Sequence, residues 1–244
     1  MLQPLFLDIY EGDYAHPDYA KVLADPLYFG VILKATEGLG YAPQWFIDNW
    51  AAVKTHAGAR YGDNFFRGCY LYLKYNLDGK LQADYFLNFV DKAGGWDKLG
   101  DIVPVIDCEL GNDGTNGGHR DTNNDASAQQ IVDCTSACAA QIKSRMGGKV
   151  MLYGNGAMRD KGIKSRMGCD YLWFPRYTAT LPSDKYINEG WDLSTLSLWQ
   201  FGGDSVAYLS HYPSHDPLGT HGDISVLVMN GGIPALKSNL LVTK

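Results

Sequence analysis

Eight short apolar runs recur along the chain, at 4–10, 29–37, 66–73, 102–110, 149–154, 171–177, 196–201 and 221–228. Most are bounded by Gly, Pro, Asp or Asn, the punctuation that marks strands. Several are apolar with little alternation, as expected of strands covered on both faces of a parallel sheet. Between the early runs the period changes to that of helices. Residues 43–57 put Phe46, Trp50, Val53 and Ala57 on one face, with Pro43 near the start and Gly58 as the stop. Residues 81–93 group Tyr85, Phe86, Phe89 and Ala93 and end at Gly94-Gly95. Residues 127–146 open with Ser127 and Gln130 at capping-box spacing, carry Ile131, Cys134, Cys138 and Ile142 on one stripe, and stop at Gly147-Gly148. A shorter helix fits 157–167, and no long helix is expected after 171. The pattern predicts an α/β fold: a single (β/α)-barrel of eight strands, with helices mainly in the first half and a degenerate second half. The 244 residues lie close to the ~250 typical of such barrels. The barrel is expected to occupy 1–228, leaving 229–244 as a C-terminal tail and no separate domain. The hexapeptide Ile-Lys-Ser-Arg-Met-Gly occurs at 142–147 and again at 163–168. Both copies read as helix ends, with basic residues in the last turn and Gly after it.

A composition of 45% hydrophobic and 20% charged residues excludes a disordered or coiled-coil chain. No stretch approaches the roughly 20 apolar residues of a membrane span, so no membrane insertion is expected. The start, MLQPLFLDIY, lacks a basic segment and reaches Asp8 early, so it does not read as a signal peptide. Synthesis in the cytoplasm without an export signal of its own is the expectation. A net charge of −6 gives no electrostatic reason to bind nucleic acid. The odd count of five Cys argues against a disulfide framework, and all five are expected as reduced thiols. A monomer is expected.

The candidate chemistry is acidic. Asp8 and Glu37 end the first two runs, Asp107 and Glu109 end the fourth, and Asp223 opens the last. Side chains at i and i+2 of a strand point the same way, so Asp107 and Glu109 share a face and Cys108 points to the helix layer. Close carboxylates push their pKa values apart, so that one can donate a proton while the other stays charged, as glycoside hydrolysis requires. Two residues of strand rise about 6.6 Å. That lies between the roughly 5–5.5 Å of retaining sites and the 6.5–9.5 Å of inverting ones, so the stereochemical outcome stays open. Aromatics fall at the same edge: Tyr70 and Tyr72, Tyr153, Trp173, Tyr177 and Trp199, with Gln200 as a polar partner for sugar hydroxyls. Other chemistries are weaker. No nucleophile elbow or P-loop occurs. His211, His215 and His221 lack zinc spacing. Asn112, Asp113, Asn116, Asp121, Asn123 and Asp125 lack the closing Glu of an EF-hand. Their loop, 111–126, reads as flexible and polar, and neither a metal nor a cofactor is expected.

With these strand-end residues in order, the chain resembles the glycoside hydrolase family 25 lysozymes, the Chalaropsis-type N-acetylmuramidases, from about residue 5 to 228. The matching segments are Leu7-Asp8-Ile9, the run from Val31 to Gly38, Gly68-Cys69-Tyr70, the run from Pro104 to Glu109, Leu152-Tyr153, Leu172-Trp173, Leu198-Trp199-Gln200 and Gly222-Asp223-Ile224. The resemblance implies hydrolysis of the β-1,4 bond between N-acetylmuramic acid and N-acetylglucosamine in cell-wall peptidoglycan. It implies Glu109 as general acid, Asp107 as its partner carboxylate, and Asp8 and Asp223 shaping the site. Glu37 is a further substrate-binding candidate among the strand-end acids. Tyr70, Tyr153, Trp173, Trp199 and Gln200 would line the glycan groove. A single such domain without a signal peptide resembles a phage or prophage endolysin, released by a holin or carried on a virion. Three departures stand out. Tyr10 replaces a usual Ser, Gly68-Cys69-Tyr70-Leu71-Tyr72 lacks the His of the family's Gly-Ala-Tyr-His-Phe, and Phe174-Pro175-Arg176 replaces small residues. They leave open a non-catalytic glycan-binding or structural virion protein on the same barrel, or a hydrolase of another amino-sugar polymer such as chitin.

Overall fold

The computed structural model describes residues 3–115, 118–154, 156–181, 187, 190–203, 206–207, 216–219 and 221–243. Asn116, His211 and His215 therefore lie outside the described residues. The predicted runs become β1 (Leu5–Ile9), β2 (Tyr28–Glu37), β3 (Phe66–Tyr72), β4 (Val105–Asp107), β5 (Met151–Tyr153), β6 (Tyr171–Pro175), β7 (Leu196–Gly203) and, after a two-residue β8 (Val206–Ala207), β9 (Asp223–Leu227). Strands β1 to β7 pair in parallel in chain order. β9 closes the barrel between β7 and β1.

β9 departs from the all-parallel expectation, because it runs antiparallel to both neighbours. An antiparallel strand begins at the edge where its neighbours end. Asp223, the first residue of β9, therefore pairs directly with Asp8 near the end of β1. β4 is also shorter than the apolar run 102–110. Ile102 leaves the barrel ladder and bridges to Leu241 instead.

The helices are α1 (Tyr19–Ala24), α2 (Gln44–Ala57), α3 (Gly79–Lys92), α4 (Ala128–Met146), α5 (Gly156–Asp160) and α6 (Gly232–Asn239). Ser127 and Gln130 form the capping box that starts α4, and Gly147 ends it in the left-handed region (φ 66°). The second hexapeptide copy is not a helix end. α5 stops at Asp160, and 163–168 form irregular backbone and a turn. α1 and α6 are too short to show a helical period clearly. The apolar residues divide into two layers. One fills the space between strands and helices, and includes all five cysteines, which are buried and unbridged. The other fills the barrel itself, where Leu236 of α6 and Leu240 just after it close the lower mouth. Among the described residues, no helix is long and apolar enough to cross a membrane.

Candidate active site

Every strand of the closed barrel sends one large apolar side chain into the same interior layer: Phe6, Ile32, Phe66, Val105, Met151, Trp173, Leu198 and Leu227. Strand alternation brings the next inward residue two positions on. At that step the interior changes character, from Phe6 to Asp8, Ile32 to Lys34, Val105 to Asp107, Met151 to Tyr153 and Leu198 to Gln200. On β9 the sequence runs backwards, from Leu227 through Ser225 to Asp223. The result is a polar pocket of about 300 Å³ on an apolar floor, lined by Asp8, Tyr10, Asp13, Lys34, Tyr70, Tyr72, Asp107, Glu109, Tyr153, Trp173, His221 and Asp223.

Gln200, 1% exposed, ties the far wall together. Its Nε2 donates to Asp223 Oδ2 at 3.1 Å and to Asp8 Oδ2 at 3.5 Å, while its Oε1 accepts from the Tyr153 hydroxyl at 2.7 Å. Trp173 stands edge-on to Tyr153, with ring centroids 4.7 Å apart, and its indole N–H donates to Ser225 Oγ. A side chain at Gly203 would collide with the Asp223 carboxylate and the Tyr177 hydroxyl, so the glycine at the end of β7 leaves them their space. The Tyr177 hydroxyl donates to Asp223 Oδ1 at 3.2 Å.

Three carboxyls of the pocket are displaced toward their neutral forms. Burial raises Asp8 well above the ordinary carboxylate range, and the charges of Asp223, Asp13 and Glu109 add to it. Burial, then the neighbouring Glu109 charge, does the same to Asp107. Burial also raises Glu109, against a hydrogen bond with Tyr153 and the charge of Lys34. Asp8 Oδ1 and Asp107 Oδ1 are buried without a hydrogen-bond partner. Acceptors left bare in this way are costly to the fold and available to a ligand's N–H or O–H. Among the described residues, no group of three or more His, Cys, Asp or Glu side chains is arranged to hold a metal ion.

Seven expected site residues line this pocket: Asp8, Tyr70, Asp107, Glu109, Tyr153, Trp173 and Asp223. Gln200 lies behind them. Two others are not brought in. Trp199 precedes the inward-facing Gln200 on β7 and must point the other way. It lies 2% exposed in the helix-side layer, its indole N–H donating to Arg176 O. Glu37 sits at the rim, bonded to Lys34 Nζ at 2.7 Å and Lys74 Nζ at 2.9 Å. Burial opposes its ionisation, but the two lysines hold its pKa below the ordinary value. Sequence reasoning gave no role to Lys34, the cation of the pocket lining, whose Nζ lies 5.0–5.6 Å from the ring centres of Tyr10, Tyr41 and Tyr72. Its place two residues beyond inward Ile32 was the available signal.

The loop after β4 also differs from the flexible expectation. Residues 122–125 form a 3₁₀ turn capped by the Asp121 side chain. Asp121 Oδ2 accepts from Lys74 Nζ at 2.8 Å and from the Tyr72 hydroxyl at 2.9 Å. Asn124 Nδ2 donates to the carbonyls of Leu110, Asn112 and Asp121.

Comparison with known proteins follows the same outline. The family profile described as Glycosyl hydrolases family 25 matches residues 7–208. A sequence search of curated proteins finds no match. Among solved structures, a family 25 glycosyl hydrolase from Bacillus anthracis superposes with a TM-score of 0.71 at 19% identity, over 98% of this chain and 94% of that one. A muramidase from Trichobolus zukalii gives 0.70 at 22% identity, covering 96% and 97%. The catalytic domain of an endolysin from bacteriophage P40 of Listeria monocytogenes gives 0.66 at 15%, covering 97% and 98%. At these identities the superpositions establish a shared fold.

Proposed function

The chain belongs to the glycosyl hydrolases family 25 and is a glycoside hydrolase; from that premise we propose that it is a muramidase, cleaving the β-1,4 bond between N-acetylmuramic acid and N-acetylglucosamine in bacterial peptidoglycan. The observation that carries the reading is the pair Asp107 and Glu109, both lining one pocket and both pushed toward the protonated state by burial.

Glu109 is the proposed general acid. Besides the carboxylate-rich pocket, it lines a second cavity of about 440 Å³ with Leu110, Asn112, Ala157, Asp160 and Pro175. A glycosidic oxygen at Glu109 can thus have a sugar on either side. Asp107, 6% exposed and deeper, is the partner carboxylate. In the substrate-assisted version, the acetamido oxygen of N-acetylmuramic acid attacks its own anomeric carbon. The bond to the leaving oxygen breaks, and that oxygen takes the Glu109 proton. Asp107 accepts the acetamido N–H through its otherwise unpartnered Oδ1. Water, deprotonated by Glu109, then opens the intermediate with overall retention.

Asp8 and Asp223 shape the far wall, and the rings of Tyr70, Tyr153 and Trp173 offer faces and edges to the sugars. We read the protein as a monomer. We further read the protein as an endolysin of phage or prophage type acting on the cell wall, a reading supported by the shared fold with the Listeria phage endolysin domain.

Mass spectrometry of sugars released from purified peptidoglycan tests the bond. New reducing ends on N-acetylmuramic acid are the expected product, and reducing ends on N-acetylglucosamine would overturn the proposal. Glu109→Gln should lower turnover by roughly 10²–10⁴-fold. A variant that clears a wall suspension as fast as the parent would remove Glu109 from its role.

A further inference from the structure

Glu109 lies beyond the end of both ladders that flank β4. On the β5 side the last bond is Cys108 N–H to Tyr153 O, at 2.8 Å. On the β3 side it is Leu73 N–H to Asp107 O, at 3.1 Å. Past these points the chains diverge, and the Glu109 backbone, unlike that of Asp107, has no strand to hold it. One side chain fills the gap. Asn123, 1% exposed, donates from Nδ2 to Leu73 O at 2.7 Å and to Glu109 O at 3.1 Å, and its Oδ1 accepts from Tyr75 N–H at 3.1 Å. The amide thus stands in for a short stretch of strand between the end of β3 and the segment after β4. Among the described residues, this is the hydrogen bond made by the Glu109 backbone.

Asn123 is itself fixed. Its N–H donates to Asp121 Oδ1 at 2.8 Å, and Asp121 is anchored to Tyr72 at the end of β3 and to Lys74 just beyond it. An Asn has the right chemistry, because one planar group offers two donor hydrogens for two carbonyls and an acceptor for the N–H. Asp, Ser or Ala cannot do all three.

We propose that Asn123 is a positioning residue for the general acid: its amide clips the Glu109 backbone to the end of β3 and so fixes where the carboxyl meets the glycosidic oxygen. The proposal rests on Glu109 being the acid. A merely structural amide would affect stability alone, whereas this one sets the geometry of proton transfer. Misplacement of a reacting group by about 1 Å is enough to lower a rate 10²-fold.

The test compares reducing-sugar release from purified peptidoglycan by Asn123→Ala, Asn123→Asp, Glu109→Gln and Asn49→Ala, each with its melting temperature. Asn49 is the control. It is also a buried Asn, bonded to the Tyr19 hydroxyl and to Trp45 O, but on α2 away from the pocket. The expected result is a kcat about 10²-fold lower in both Asn123 variants, with KM within about threefold of the parent, while Asn49→Ala keeps its kcat at a similar loss of melting temperature. Asn123→Asp keeps the size of the side chain, so it reads the clip even where the Ala variant fails to fold. Folded Asn123 variants with parental kcat, or an equal loss in Asn49→Ala, would overturn the proposal. Full activity in Glu109→Gln would instead sink the acid assignment on which it rests.

Discussion

At the scale of single residues, the pocket is held at a cost to the fold. Asp107 and Asp8 each bury an oxygen with no partner, and both have pKa values raised above those of an unfolded chain. A raised folded-state pKa means that the folded protein binds the proton more tightly than the unfolded one. The stabilising contribution is complete below the unfolded pKa, about 4, and is lost as pH rises through the folded value. Asp107→Asn removes the ionisation. It should raise the melting temperature at pH 7, with the gain shrinking toward pH 4, while turnover falls. Calorimetry across that range checks it, and a lower melting temperature at pH 7 would contradict the sign. Trp199 makes the opposite prediction. Because it packs in the helix-side layer, Trp199→Ala should lose about 3–5 kcal/mol of stability and leave KM for glycan unchanged in the folded fraction. A large rise in KM with intact stability would return Trp199 to the groove.

At the scale of elements, the barrel depends on close approach of its outer helices. Gly79, the first residue of α3, sits against α4, and a Cβ there would come 2.1 Å from Cys134 O. That atom is backbone and cannot swing aside. Gly79→Ala should therefore cost about 1–3 kcal/mol, as overpacking does, measurable by urea unfolding. The two hexapeptide copies show how far an element depends on its surroundings. At 142–147 the segment ends a 19-residue helix already nucleated by the capping box and an apolar stripe. At 163–168 it follows a five-residue helix that has stopped, and the same six residues form irregular backbone. Helix formation needs a nucleus and a buried face, and only the first copy has both.

For the whole molecule, the residues after β9 complete the barrel. Leu236 and Leu240 join the interior cluster from below, Val103 N–H donates to Leu240 O at 2.7 Å, and Val242 N–H to Asp101 O at 3.0 Å. Removing 230–244 would uncover the apolar layer on which the pocket floor rests. The truncated chain should melt at a markedly lower temperature and bind a hydrophobic dye such as ANS, and unchanged melting would show that the lower mouth needs no plug. Charge acts at this scale too, since the carboxylate-rich pocket is answered within its lining by Lys34.

The amino-acid sequence by itself determined the eight barrel strands, the three long helices and their order, because burial on both faces and helical period are written into local apolar spacing. Alternation also led to the expectation that Asp107 and Glu109 face the same way, and both line one pocket, although Glu109 lies past the end of β4. The sequence could not determine the direction in which the last strand closes the barrel. That closure brings Asp223 to Asp8, 215 residues apart in the chain, and only the pairing of β9 with β1 and β7 decides it. Nor could alternation say which of Trp199 and Gln200 turns inward, because parity is relative until the barrel fixes its inside. The polar loop carried no apolar period to read. Its order comes from Asp121, Asn123 and Asn124 meeting backbone groups that the ends of β3 and β4 leave without strand partners, and such partners exist only once the strands have diverged in space.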